Sequence, residues 1–435
     1  MLQVIGVESI DDMFAVVPEK YRYPRLDMPK GLAEMEALSV LQDMSAANTN
    51  VDEMPSFLGA GAYNHYVPAA VDAILQRGEF YSAYTPYQPE ISQGTLQTIF
   101  EYQSLMVNLT GMEVSNASHY DGATAVAEAI NMARVIHRGH RRKVIISPAL
   151  HPHYRATINT YNKGSDQIII GSDIDLAAKP EALIDLLDQE TGVVVVQYPD
   201  FLGRIYDYTE LAEAVHSVGA LLVVAVNPMA LGLLKSPGEF GADIVTGEGQ
   251  PFGIPLSYGG PYLGILTTKH EYVRSLAGRL VGETTDVEGR RGYVLTLNTR
   301  EQHIRRERAS SNICTNEGLM ALAATVYLSV VGKGGLREVA ELCYHKAHYL
   351  ADEIAKLPGY DLWSGDEFFN EFVVRGPRPA AETNKLLLEH DILGGFDLQQ
   401  DFPDMKNCML YAVTEMNSRR DMDLLVRVLG GINSD

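Results

Sequence analysis

The stretch GEGQPFGIPLSYGGPYLG (247–264) sets six glycines directly after the apolar run ADIVTG (242–247). Glycine-lined backbone at the end of a buried strand lets a ligand approach the main chain closely. Yet this loop holds no lysine, histidine or cysteine, and its ionisable groups are Glu248, Tyr258 and Tyr262. It can enclose a ligand, but it offers no amine for an imine and no strong nucleophile. GEGQPFG is one residue too long for the GxGxxG fingerprint, and no acid follows about 20 residues on at a strand end. GKGG (332–335) lacks the upstream glycine and the Ser/Thr of a P-loop.

Three further tracts carry chemistry. YDGATAVAEAI (120–130) opens a helix with Gly122, Ala123 and Thr124, which reads as a phosphate-type turn or as a plain tight helix entry. TREQHIRRER (299–308) holds Arg300, Arg305, Arg306 and Arg308 beside Glu301 and Glu307. Such arginines grip a carboxylate or phosphate, or are consumed by i,i+4 pairs on a solvated helix. SAYTPYQPEISQG (82–94) places Tyr84, Gln88 and Glu90 in a segment stiffened by Pro86 and Pro89, so no helix is expected before residue 90. It reads as a site wall or as a packing loop.

Other polar clusters read as structural. HPH (151–153) fits a helix start with Pro152 as the first helical residue better than a metal pair. HRGHRRK (137–143) places cations at a helix C-terminus. Cys314, Cys343 and Cys408 match no CxxC spacing and read as buried thiols; no metal site is expected.

The elements that must position these tracts follow an α/β pattern. Apolar runs at 143–147, 167–171, 192–199, 220–226, 242–247 and 262–268 alternate with helical segments such as 180–188 and 208–217. Continuous β-branched runs between helices predict a mostly parallel sheet buried on both faces. Helices are expected at 31–48, with Leu32, Met35, Leu38 and Leu41 in helical spacing, at 68–77, and at 122–137. Two more, 316–331 and 335–356, precede strands at 368–376 and 408–416 and helices at 380–390 and 419–430. The expected organisation is an N-terminal segment (1–65), a large α/β domain (66–331) and a smaller C-terminal α+β domain (332–435).

Composition narrows the function class. The formal charge of −21 over 435 residues disfavours nucleic acid and anionic membranes as partners. No uninterrupted apolar run reaches about 18 residues. The N-terminal MLQVIGVESIDDMF has no basic region followed by an apolar stretch, so a cytoplasmic location is expected.

Together, YTPYQPEISQGTLQ (84–97), SHYDGATAVAEA (118–129), GQPFGIPLSYGGPYLG (249–264) and TREQHIRRERASSNICT (299–315) resemble the glycine cleavage system P-protein family, in the form where the N-terminal half is a separate α subunit. The resemblance covers nearly the whole chain. It implies the type I fold of pyridoxal-phosphate (PLP) transferases, with a large sheet of the seven-stranded type. It also implies glycine decarboxylation with transfer of the aminomethyl group to the lipoyl arm of H-protein. The family's cofactor-bearing subunit has His-Lys-Thr-Phe before the glycine loop and an aspartate at an earlier strand end. Here Gly249, Gln250, Pro251 and Phe252 take the first four positions, and Ala225 or Val226 takes the acid's place. An amide forms no imine. The resemblance therefore implies a chain without covalent PLP, paired in an α2β2 assembly with a PLP-bearing β subunit. Rival readings are a stand-alone PLP enzyme using Lys235 or Lys269, and a scaffolding pseudoenzyme that adds no atoms to any site.

Overall fold

The structure, a computed structural model, describes every residue except 83, 310–312, 314, 315 and 433–435. Cys314 and part of the 299–315 tract therefore lie outside the described residues. The chain divides into two compact units, Met1–Glu53 and Met54–Asp435. The first contains the helix Glu34–Ala46, in which the Glu36 carboxylate accepts the Ala33 N–H at 2.9 Å, and several short helical turns. None of its residues is buried.

The second unit is built on a seven-stranded sheet. Its strands are Val114–Ser115 (β1), Lys143–Ile146 (β2), Ile168–Ile170 (β3), Thr191–Tyr198 (β4), Leu221–Val226 (β5), Ile244–Glu248 (β6) and Gly264–Thr268 (β7). The spatial order is β1-β7-β6-β5-β4-β2-β3, and β2 to β6 run parallel while β7 runs antiparallel to β6. Side chains alternate along these strands. Val193, Val195, Val223, Ala225 and Ile244 pack under the helix Gly122–Ile136 through Val126, Ala129, Ile130 and Ala133. Val194, Val196, Leu222, Val224 and Val245 pack on the other face with Leu211, Ala212 and Val215 of the helix Thr209–Ser217. Each fully buried valine or leucine contributes roughly 1.5–3 kcal/mol, so a sheet covered on both faces is the dominant source of stability.

A hairpin, Leu280–Thr285 (β8) with Arg291–Thr296 (β9), follows the sheet. A second sheet of Asp361–Leu362 (β10), Glu371–Arg375 (β11), Phe396–Asp397 (β12) and Cys408–Ala412 (β13) is antiparallel, in the order β10-β11-β13-β12. The two helices expected at 316–331 and 335–356 form one run, Gly318–Ala355, broken at Gly332 (φ 61°, ψ −178°), a backbone state that glycine alone adopts readily. This helix is long and apolar enough to cross a membrane by length and hydropathy. However, Ala321, Ala323 and Tyr327 pack beneath the glycine loop, while Ala347, Leu350 and Ile354 line the core of the small sheet. The segment expected as a helix at 180–188 is a 3-10 stretch, Pro180–Leu186, which gives way to extended backbone at Leu187 (φ −70°, ψ 136°). The helix Gln93–Thr110 and the β8–β9 hairpin were not anticipated from the sequence.

Candidate functional site

The glycine loop leaves the C-terminal end of β6 and returns as β7, with Glu248 opposite Gly264. Gly249 comes so close to Leu263 that a Cβ there would lie 2.9 Å from its Cδ2. This close pairing turns Gln250 into the interior, where it is fully buried. Every polar atom of its amide is used. Oε1 accepts the Tyr63 N–H at 2.9 Å, and Nε2 donates to Tyr63 O at 2.9 Å and to Ile254 O at 2.7 Å. Gln250 thus fastens the loop 59–65 over the end of β6.

Glu248 fills the helix N-terminus. Its carboxyl accepts the N–H groups of Gly122 at 2.9 Å, Leu263 at 2.9 Å and Gln250 at 3.1 Å. Burial pushes Glu248 up to about 8, against the pull of these three donors. The Thr124 N–H goes to the Asp121 side chain at 2.7 Å. The turn Gly122, Ala123, Thr124 is therefore a capped helix entry whose hydrogen-bond acceptors are supplied from within the chain. A Cβ on Gly122 would lie 2.3 Å from the Tyr154 hydroxyl, so the entry is also closely walled.

The loop 59–65 is held from its other side by His151 and Glu371. His151 Nδ1 accepts the His153 N–H at 3.1 Å, so Nε2 carries the proton and donates to Ala60 O at 2.8 Å. Burial lowers His151 to about 4, which keeps the ring neutral. Gly61 (φ +106°) lets the backbone reach this ring; a Cβ there would lie 2.8 Å from Nε2. Glu371 Oε1 accepts the Ala60 N–H at 2.7 Å and Oε2 accepts the Tyr63 hydroxyl at 2.8 Å. Burial pushes Glu371 up to about 7. As expected, Pro152 opens a helix, Pro152–Tyr161, and His151 is its N-cap.

The arrangement does not fit PLP. Gln250, which the resemblance sets against the lysine, offers only an amide, and that amide is fully engaged with Tyr63 and Ile254. A carboxyl lies on the helix N-terminus that a phosphate needs, where its charge or its bulk excludes one. Ala225 and Val226, at the end of β5, are buried and apolar, so no acid is offered to a pyridine nitrogen there. Lys269 pairs with Asp243 at the opposite end of β6, and Lys235 is exposed.

The other predicted residues fall elsewhere. Arg300 is buried and donates to Leu297 O at 3.2 Å, Gly278 O at 3.1 Å and Leu276 O, and burial lowers it to about 10. Arg305 and Arg306 are exposed, with Arg305 Nε donating to Thr299 O at 3.0 Å. The three arginines therefore do not form one cluster, and the helix here is only Gln302–Arg305. Tyr84, Gln88 and Glu90 are exposed, and the helix after them begins at Gln93. The structure links this tract to the arginine tract through Tyr87. Its ring lies 6.4 Å from His303, and its hydroxyl lies 2.5 Å from the guanidinium of Arg279, which pairs with Glu301.

Tyr63, His151, Glu248 and Glu371 were not picked out by sequence reasoning as site residues. Glu248 left a signal as the one carboxylate in the glycine loop, and His151 as the first residue of HPH, which reads as structural. His65, Cys343 and Glu415 bring three donor atoms within 4.8 Å of one another. They are joined by hydrogen bonds, 2.7 Å from His65 Nδ1 and 3.4 Å from Cys343 Sγ to Glu415 Oε2. Cys343 and Cys408 are buried.

The family described as glycine cleavage system P-protein matches residues 1–429. The probable glycine dehydrogenase (decarboxylating) subunit 1 of Thermomicrobium roseum is 56% identical over 431 residues, 99% of this chain and 96% of that one. A crystal structure of glycine decarboxylase (P-protein) of the glycine cleavage system, in inhibitor-bound form, superposes with a TM-score of 0.92 at 41% identity, over 99% of this chain and 97% of that one. Lactobacillus brevis glutamate decarboxylase superposes with a TM-score of 0.69 at 14% identity over 97% of each chain, which is a likeness of fold alone. The fold is the type I fold of PLP-dependent enzymes, with a mostly parallel large sheet and a smaller antiparallel one.

Proposed function

The chain belongs to the glycine cleavage system P-protein family, and from that membership we propose that it is the subunit of a two-subunit glycine dehydrogenase (decarboxylating) that holds no cofactor of its own. In this reading a second subunit of the same family carries the PLP. The pair, as an α2β2 assembly in the cytoplasm, decarboxylates glycine and passes the aminomethyl group to the lipoyl arm of H-protein. The designation subunit 1 among the relatives supports a second, different subunit. The observation that carries the division of labour is the Gln250 amide, consumed by Tyr63 and Ile254 at the position of the lysine. Tyr84, Gln88 and Glu90 are assigned to the mouth of the shared site, and Arg305 and Arg306 to its anionic or partner contacts.

The test is to purify the chain alone and together with the second subunit, then measure glycine-dependent exchange of bicarbonate. Exchange is expected from the pair and not from this chain. Borohydride reduction followed by peptide mapping should find pyridoxyl-lysine only in the second subunit. A labelled Lys235 or Lys269, or exchange by this chain alone, contradicts the reading.

A further inference from the structure

His65, Cys343 and Glu415 come from distant parts of the chain and meet inside the second unit. His65 lies 350 residues from Glu415 and Cys343 lies 72 from it, so no sequence spacing announces the cluster. One donor atom from each, a ring nitrogen, the thiol sulfur and a carboxylate oxygen, lies within 4.8 Å of the other two. Glu415 Oε2 is 2.7 Å from His65 Nδ1 and 3.4 Å from Cys343 Sγ. Zinc bonds of about 2.3 Å to sulfur and about 2.0–2.2 Å to nitrogen and oxygen set tetrahedral neighbours roughly 3.3–3.7 Å apart. The cluster therefore receives such an ion with shifts of about 1 Å or less.

The surroundings hold these side chains in place. His65 is buried, its Nδ1 faces Glu415, and its Nε2 has no hydrogen-bond partner among the described residues. Neither ring nitrogen is thus committed elsewhere. Cys343 is fully buried in the helix Gly318–Ala355, and its bond to Glu415 is the weak one that a thiol makes. Glu415 Oε1 accepts the Tyr66 N–H at 2.6 Å, which fixes the carboxylate and leaves Oε2 turned to the other two donors. Lys346, one turn after Cys343, spends its ammonium on Glu415 O at 2.5 Å and Asn417 O at 2.8 Å. Thr414 Oγ1 donates to Asn64 O at 2.6 Å, and Asn417 Nδ2 donates to Ser56 O at 2.8 Å. The segment 56–66 is therefore fastened to 414–417 on both sides of His65.

We propose that His65, Cys343 and Glu415 bind one zinc ion, which clamps the segment 56–66 to the long helix and to the turn after β13. Coordination displaces the Cys343 thiol proton to solvent, and the ring proton stays on the uncoordinated nitrogen of His65. Thiolate and carboxylate then balance the two charges of the ion. A donor set of sulfur, nitrogen and oxygen selects zinc over magnesium and calcium, which take oxygen ligands. Glu415 is the least buried of the three, so a water from its side completes four-coordination. Gln250 holds the same segment through Tyr63, so the ion secures from a second point the loop that covers the end of β6. All three ligands belong to one chain, so the site does not rest on the two-subunit reading.

The full-length chain, stripped with a chelating resin, is titrated with zinc by calorimetry and with cobalt(II) by absorption. One ion per chain is expected, with a thiolate-to-cobalt charge-transfer band and the visible bands of four-coordinate cobalt. The thermal midpoint should rise with zinc concentration. Cys343→Ser and Glu415→Gln keep the shape of the cluster, and each is expected to weaken binding at least about a hundredfold, since loss of a supporting partner alone costs about 10–100-fold. Cys314→Ser with Cys408→Ser leaves Cys343 as the sole cysteine and should bind as the unmodified chain does. X-ray absorption at the zinc edge of the unmodified chain should show one sulfur at about 2.3 Å with nitrogen and oxygen for the rest. That measurement holds even where a variant fails to fold. Absence of saturable binding, a zinc spectrum without sulfur, or a Cys343→Ser affinity within twofold of the unmodified chain overturns the proposal. Loss of binding in a folded Cys314→Ser, Cys408→Ser variant places the sulfur elsewhere and also overturns it.

Discussion

Gln250 and Tyr63 are paired in both directions, with the Tyr63 N–H donating to the amide oxygen and the amide nitrogen donating to the Tyr63 carbonyl, each at 2.9 Å. The side chain thus imitates one rung of a β-ladder. It ties two segments 187 residues apart. The whole amide thus serves architecture, and the loop it holds brings Tyr63 within reach of Glu371.

Replacing Gln250 by leucine keeps most of the volume but leaves the Tyr63 N–H and the Tyr63 and Ile254 carbonyls without their partner. Unpaired buried groups cost about 1–3 kcal/mol each. Gln250→Leu is therefore expected to lower unfolding stability by about 3 kcal/mol or more, measured in urea. Gln250→Lys is expected to destabilise as well and to gain no PLP-dependent exchange, since Ala225 and Val226 still offer no acid. Exchange by that variant alone, or an unchanged stability for the leucine variant, contradicts this account.

Glu371 gives a pH dependence of definite sign. Its ordinary value is 4.5, and burial pushes it up to about 7 in the folded chain. The folded state therefore keeps a proton that the unfolded state gives up. This contribution is fully present below about pH 4.5 and is lost as pH rises through 7. Glu371→Gln preserves an acceptor for the Ala60 N–H and removes the titration. The stability lost by the unmodified chain between pH 5 and 8 is expected to shrink by roughly 2–3 kcal/mol in the variant. Parallel pH profiles for the two proteins contradict the assignment.

The same contacts explain what could be read beforehand. The strands from Lys143 to Thr268 were legible because valine, isoleucine and leucine run unbroken between helical segments. That continuity also hid which face each side chain takes, since Val193 and Val194 are equally apolar but belong to opposite cores. Gln250 was legible as a position of interest through the resemblance, which sets it against a lysine. Its partner was not, because no local pattern announces a bond to a residue as distant as Tyr63. Glu248 was visible as a lone acid, but its role depends on a helix start 126 residues earlier. The arginine tract misled in part: four arginines in nine residues look like one surface, whereas the local turn points Arg300 inward to three carbonyls.

Arg300 and Arg306 should behave as opposites. Arg300→Ala removes donors to Leu276, Leu297 and Gly278 carbonyls in a buried setting and is expected to cost roughly 2–4 kcal/mol of stability. Arg306 is exposed, so Arg306→Ala is expected to change stability by less than about 0.5 kcal/mol. If Arg306 faces an anionic group at the shared site, its loss raises the apparent KM for glycine or H-protein, or weakens the subunit complex. Unfolding curves and steady-state assays on both variants separate the two roles. An Arg306→Ala enzyme with unaltered assembly and kinetics reduces that residue to surface.

The tract 82–94 is pinned at two points. The Tyr87 hydroxyl meets Arg279 at 2.5 Å, and the Gln93 amide pairs in both directions with the backbone of Tyr293, at 2.9 Å each way. Pro86 is buried and Pro89 half-buried, so the chain between the pins has little freedom. Tyr84, Gln88 and Glu90 are nonetheless exposed. A loop fixed by its neighbours that turns polar side chains outward meets a partner or ligand without an ordering cost. A loop kept only for packing has no use for those side chains. Gln88→Ala and Glu90→Ala are therefore expected to leave folding and subunit assembly intact and to lower glycine decarboxylation about tenfold with the unmodified second subunit, a loss of about 1.4 kcal/mol in transition-state stabilisation. Gln93→Ala serves as the contrast. It removes the pin, so it should lower stability as well as rate. Sedimentation, urea unfolding and the decarboxylation assay on the three variants distinguish the cases. Normal rates for Gln88→Ala and Glu90→Ala in an intact assembly remove the tract from the site, whatever Gln93→Ala does.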